Sequence, residues 1–305
     1  MEPPPHSSLM RSDAEAPSDT TEEHEEKSLL PARRAPTVRS MAACGVVAAI
    51  FVAVGLLSRE IPSWLRGGAP WQSLSHSNYN CTPPPAPPNT TKIYLGNGCY
   101  WERQWAYYVV ESQQFGRSGG GISSKTGYAG GNEEPGPPVC YHTSSPLHDY
   151  GALGHAEVVE VVLDDADATA QFAALAADFF GSFTGAAGSR ARPDPMDVGQ
   201  PYRSVVGIPG GVDGPLYTTL SAANTQGMAL KAGFGSDGDD FNTVWITDSH
   251  VYPFHQAEAY HQMHSNFFQS EGMPYPPSYV NDLWEQQKQL CLVREIDGCP
   301  DGSHW

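Results

Sequence analysis

Hydrophobic and polar positions divide the chain into three unlike stretches. Residues 1–39 have few apolar positions, are rich in Pro, Ser, Thr and Glu, and carry the acidic cluster Glu22, Glu23, Glu25 and Glu26. Such a segment cannot bury enough surface to offset its ordering entropy, which predicts a disordered tail. Ser40–Ser58 has no charge and is dominated by Ala, Val, Leu, Ile and Gly. As a helix this run would span roughly 28 Å, close to the hydrocarbon thickness of a bilayer, which predicts one transmembrane anchor over 40–58. A cleaved signal peptide is the alternative, but the run exceeds a typical apolar leader and no Ala-x-Ala-like site precedes Arg59. Residues 59–90, Pro-rich toward their end at Pro83–Pro88, read as an extended stalk.

From residue 91 onward the pattern alternates between strand and helix periods. Lys92–Leu95 reads as a short strand and Trp101–Glu111 as a helix without Gly or Pro. Ile122–Gly131 reads as a strand running into a glycine loop, Val158–Leu163 as a core strand, and Ala168–Phe183 as a helix packed on a sheet. The stretch from Cys140 to Gly154 has no periodicity and reads as a surface loop. Tyr202, Arg203 and Ser204 lead into an apolar strand at Val205 and Val206. Ala222–Ala232 then reads as helical, Thr243–Ile246 as a strand, and Pro253–Phe268 as the last substantial helix.

Charge narrows the function classes. The formal net charge of -17 removes the clustered cations that nucleic-acid binding rests on. The six cysteines, at 44, 81, 99, 140, 291 and 299, form no CxxC pair, so neither a zinc ribbon nor a thioredoxin-type site is indicated. Arg33, Arg34 and Arg39 precede the apolar run while Arg59 and Arg66 follow it, a bias toward a cytoplasmic N-terminus. The sequons at Asn80 and Asn89 agree, placing residues from about 91 onward in a lumen or outside the cell.

Two positions stand out chemically. Cys99 falls where a strand turns into a helix, a place that can lower a thiol's pKa, with Tyr100 and Trp101 beside it; the alternative is a small buried cysteine at a helix start. Glu157 enters an apolar strand, where desolvation would keep a carboxyl protonated near neutrality; the alternative is an edge position in water. Glu258, His261 and His264 share a helical face, but one Glu-x-x-His is a weak metal signal, and hydrogen bonds to the loops around a pocket are the better reading.

Gly98, Cys99, Tyr100, Trp101 resembles the Gly-Cys-Phe-Trp signature of the A-type peptide methionine sulfoxide reductases. The likeness continues through Gly127–Gly131, Gly154–Val159, Tyr202–Ser204 and Ala257–Gln262, in order, covering Lys92 to about Phe268. It implies an α+β two-layer sandwich on a mixed β-sheet with flanking helices, occupying residues 91–305. It implies a redox-active cysteine serving protein repair under oxidative stress, with no metal or organic cofactor. The substrate would be methionine-S-sulfoxide, free or in oxidised proteins, and the reductant an external, thioredoxin-like dithiol. Carried over by position, Cys99 matches the nucleophile, Tyr100 and Trp101 the walls around the S-methyl group, Glu157 the acid, and Asp197 and Tyr202 residues that bind and polarise the sulfoxide. A sulfenic acid on Cys99 would then condense with another thiol. Cys291 with Cys299 is the favoured resolving pair and Cys140 the other candidate.

The chain also departs from that family. Glu102 and Gln104 stand where Gly and Glu are common, the loop over 141–153 is longer, and Gly136 replaces an expected tyrosine, for which Tyr141 or Tyr150 could substitute. A membrane-tethered binding or redox-sensing protein with little turnover is one rival reading. A hydrolase or transferase pairing Cys99 with a histidine such as His155 is the other.

Overall fold

The computed structural model describes residues 82–132, 138–236, 238–264 and 275–300. The tail at 1–39, the apolar run at 40–58, most of the stalk and the Asn80 sequon lie outside them. Among the described residues no helix is long and apolar enough to cross a membrane.

The strands are β1 (Thr90–Gly96), β2 (Lys125–Ala129), β3 (Ala156–Asp164), β4 (Val205–Ile208), β5 (Ala229–Ala232), β6 (Thr243–Asp248) and β7 (His255–Gln256). They form one sheet in the order β5-β6-β4-β1-β3-β2-β7. Pairing is antiparallel between β1 and β3, β1 and β4, β2 and β3, and β2 and β7, and parallel between β4 and β6 and between β5 and β6. With the helices α1 (Tyr100–Gln113), α2 (Ala168–Gly181), α3 (Tyr217–Ala223) and α4 (Trp284–Gln289), this is the mixed-sheet α+β class the sequence led us to expect.

Alternation along the strands sets the two faces. Ile93 and Leu95 of β1 and Val159, Val161 and Leu163 of β3 join Tyr107, Val110, Phe172, Leu175, Phe179 and Phe180 of α1 and α2 in the main core. Tyr94 points to the other face, with Ala129, Ala156, Val158 and Val205. There its hydroxyl reaches Thr247 Oγ1 at 2.7 Å and donates to the Tyr252 carbonyl at 2.8 Å. Its cross-strand partner is Gly207, where a Cβ would lie 2.0 Å from the Tyr94 ring.

Three expectations differ from the structure. Within Ala222–Ala232 the helix ends at Ala223 and an edge strand follows, because Asn224 turns the chain by bonding both the N–H and the carbonyl of Met228. Pro253–Phe268 is not a helix over its described part. His255 and Gln256 pair with β2, and beyond them the Gln262 amide bonds both the N–H and the carbonyl of Thr126, standing in for a strand neighbour. Tertiary pairing overrides helical spacing here. The C-terminal stretch is also no loose tail. Tyr275, Tyr279, Leu283 and Val293 pack with Ile122, Ala259 and Met263 in a second core against Trp105 and Tyr108 of α1.

Candidate active site

The site forms at the N-terminus of α1, over the helix-side face of the sheet. Period two in β3 puts Glu157 in line with Val159, Val161 and Leu163, so its carboxyl enters the main core and is 2% exposed. One Glu157 oxygen accepts the Tyr100 N–H at 3.0 Å, and the other accepts the Tyr150 hydroxyl at 3.1 Å. Asp197 approaches from the loop before β4 and accepts the Cys99 N–H at 2.8 Å. The two carboxyls thus occupy N–H groups that the first turn of α1 leaves unpaired. Gly98 is what lets Asp197 in: its φ is +95°, and a Cβ there would lie 2.6 Å from Asp197 Oδ2. The Gly98 N–H donates to the Tyr202 carbonyl, tying the Tyr202–Ser204 stretch to the start of α1. Arg192 holds Asp197 by its backbone carbonyl at 2.7 Å while pairing with Asp239.

The environment shifts each group. Burial pushes the Cys99 thiol well up, Glu157 and Asp197 add to that, and the N–H groups of Trp101 and Glu102 pull down without prevailing. The sequence reading of a helix start that lowers this pKa is corrected: at rest the sulfur is a protonated thiol. Burial likewise raises Glu157 to about 8 and Asp197 to about 6. Cys99 is partly exposed.

Aromatic rings surround this centre. Tyr100 stacks on Trp101 with centroids 6.2 Å apart, and Trp101 on His264 at 3.9 Å. The Trp101 indole N–H donates to His261 Nδ1 at 3.2 Å. Because an indole nitrogen only donates, His261 is neutral with its proton on Nε2, and burial lowers its pKa to about 2. Tyr128, beside Glu157 in the β2–β3 register, donates to Glu258 Oε2 at 2.9 Å. The inserted loop brings in Tyr141 and Tyr150, rings stacked with centroids 5.6 Å apart, and the Tyr141 N–H donates to Glu258 Oε1 at 2.8 Å. Of the two tyrosines considered from sequence, Tyr150 is the one bonded to Glu157.

Other candidates fall differently. His155 is buried, its pKa lowered to about 3, with Nδ1 accepting the Gly131 N–H; a neutral histidine so held is no base for Cys99. Cys291 and Cys299 are not joined to each other. Cys299 forms a disulfide with Cys140, and Cys291 is disulfide-bonded as well. Among the described residues Cys99 is the free thiol. Cys140, Glu258 and Cys299 form a cluster of metal-ligating residue types, but both sulfurs are spent in the disulfide; His261 and His264 are not in it. Sequence reasoning noted Gln104 only as a departure from the family and did not single out Lys125. Both are buried and polar, and a polar residue inside an apolar period was their signal.

Comparison with known proteins supports the family resemblance. The family model described as "Peptide methionine sulfoxide reductase" matches residues 91–289. The peptide methionine sulfoxide reductase MsrA of Pseudomonas aeruginosa is 29% identical over 187 residues, spanning 59% of this chain and 71% of that protein. The MsrA of Agrobacterium fabrum is 31% identical over 183 residues, with coverages of 59% and 71%. The human mitochondrial peptide methionine sulfoxide reductase is 28% identical over 198 residues, with coverages of 64% and 71%. Among solved structures, methionine sulfoxide reductase A of Corynebacterium diphtheriae superimposes with a TM-score of 0.39 at 20% identity, covering 63% of this chain and 80% of that one. Since the family match takes in the sheet apart from Thr90, both carboxyls and the free thiol, the chain belongs to the peptide methionine sulfoxide reductase family and is an oxidoreductase of that kind.

Proposed function

We propose that this chain reduces methionine-S-sulfoxide, free or in proteins, through a sulfenic acid on Cys99 that an external thiol reductant clears. The observation that carries the reading is the approach of a carboxyl, protonated below about 8, to the start of the helix that bears the free thiol. A sulfoxide sulfur is electrophilic only as its oxygen takes up a proton or a strong hydrogen bond. Glu157 supplies that proton, Tyr150 orients Glu157, and Tyr202 adds a hydroxyl whose pKa is raised by burial and by Glu157. Tyr100 and Trp101 hold the S-methyl group. Cys99 bonds to the substrate sulfur, the sulfur–oxygen bond breaks and the protonated oxygen leaves as water. Water then attacks the Cys99 sulfur, the sulfur–sulfur bond breaks, methionine leaves with that electron pair, and the proton released returns to Glu157. Cys99 is left oxidised by two electrons as the sulfenic acid. Asp197 positions Cys99 through its backbone N–H in the resting site. None of these steps calls for a bound cofactor.

Placed donors of this kind are worth about 2.7 to 4 kcal/mol, so Glu157→Gln should slow single turnover about 10²- to 10³-fold, and Cys99→Ser should abolish it. A Cys99→Ser chain that still forms methionine sinks the reading.

A further inference from the structure

The thiols expected to resolve the sulfenic acid are engaged elsewhere. Cys140 is fully buried in its bond to Cys299, and Cys291 is bonded too, which leaves Cys99 as the free thiol among the described residues. The Cys140–Cys299 bond also has an evident structural load. Cys140 donates its N–H to the His148 carbonyl at 2.7 Å and accepts the Tyr150 N–H at 2.9 Å. Its chain neighbour Tyr141 is tied to Glu258 at 2.8 Å. One bond from the C-terminal segment therefore pins the stretch that carries both loop tyrosines, one of which holds Glu157.

Resting on the sulfenic acid reading above, we infer that Cys99 is reset directly from outside the chain by a monothiol, and that Cys140–Cys299 is a fixed strut for Tyr141 and Tyr150, not a resolving couple. The thiol attacks the Cys99 sulfur, a sulfur–sulfur bond forms, the sulfur–oxygen bond breaks, and water leaves with the attacking proton. A second thiol molecule attacks that mixed disulfide, leaves as the small symmetrical disulfide, and Cys99 regains its proton. The two electrons taken by the sulfoxide thus come from two small thiols. The partial exposure of Cys99 gives them access.

The test is methionine formed per full-length chain, without reductant, on excess methionine-S-sulfoxide peptide. It compares the chain as isolated with the chain fully reduced and then freed of reductant. Both should give one methionine per chain and a dimedone adduct on Cys99. Glutathione should then give a Cys99–glutathione mixed disulfide, with the Cys140–Cys299 peptide pair still linked in the as-isolated chain. Two methionines per reduced chain with a newly formed Cys140–Cys299 bond, or any link from Cys99 to Cys140, Cys291 or Cys299 in either preparation, overturns the inference while leaving the sulfenic acid reading standing. No methionine at all from the folded as-isolated chain removes that reading and this inference together. In Cys299→Ser the KM for the sulfoxide should rise several-fold with glutathione still sufficient. An unchanged KM with glutathione-driven turnover lost would instead make Cys299 a thiol of the cycle.

Discussion

At the scale of single residues, reactivity depends on two protons held in a dry place. Turnover needs Glu157 protonated and Cys99 deprotonated, yet burial raises both pKa values and the thiol stays above the carboxyl. The reactive form therefore has one proton on the pair. At low pH the pair holds two and loses the first through about 8, the Glu157 value. Single-turnover kcat/KM should accordingly climb about tenfold per pH unit below that point and level off above it. Glu157→Gln should remove the bend, leaving a rate that keeps rising toward the thiol's own pKa. A bend that survives in Glu157→Gln would assign the titration to another group. Tyr150→Phe takes away a hydrogen bond that favours the ionised carboxyl, so the bend should move to higher pH and the rate should fall about tenfold, as for the loss of one hydrogen bond to a charged group. Tyr141→Phe, whose hydroxyl does not bond Glu157, should leave the bend in place.

At the scale of elements, the site is a joint between α1, β3 and two long loops. Gln104 shows how α1 is seated: its amide donates to the Ser124 carbonyl at 3.0 Å and to Gln262 Oε1 at 3.2 Å, and accepts the Met263 N–H. Gln104→Glu would turn a carboxyl oxygen toward two acceptors, so the change should lower unfolding free energy in urea by about 1–3 kcal/mol. An unchanged midpoint would contradict that role. Parts of this joint were legible in the sequence. β1, β3, α1 and α2 follow their periods because each buries a full face, and Glu157 was visible as a charge inside an apolar strand. β5 and β7 were not legible. β5 is mostly exposed and β7 is two residues long, so neither has a burial pattern to betray it. The Cys140–Cys299 bond, between residues 159 apart in sequence, depends on how two irregular segments meet, and no local period records that.

At the scale of the whole molecule, the disulfides fit an oxidising compartment, which supports placing the catalytic residues on the lumenal or extracellular side of a membrane. That placement remains our proposal, as does the anchor at 40–58. Asn89 is exposed, directly before β1, and its sequon would be open to a glycosyltransferase. Full-length chain expressed in a eukaryotic secretory host should lose mass on treatment with an endoglycosidase, and Asn89→Gln should reduce that loss. An unglycosylated chain in which both sequons stay bare would count against the topology. In such a compartment a monothiol that resets Cys99 without opening the Cys140–Cys299 strut would also spare the loop that holds Tyr150.

The central claim is tested most directly by a single-turnover comparison of methionine-S-sulfoxide and methionine-R-sulfoxide peptides on the full chain, with Cys99→Ser alongside. The account predicts methionine from the S epimer alone, at one equivalent per chain, and none from the variant. Equal reduction of both epimers, or reduction that persists without the Cys99 thiol, would contradict it.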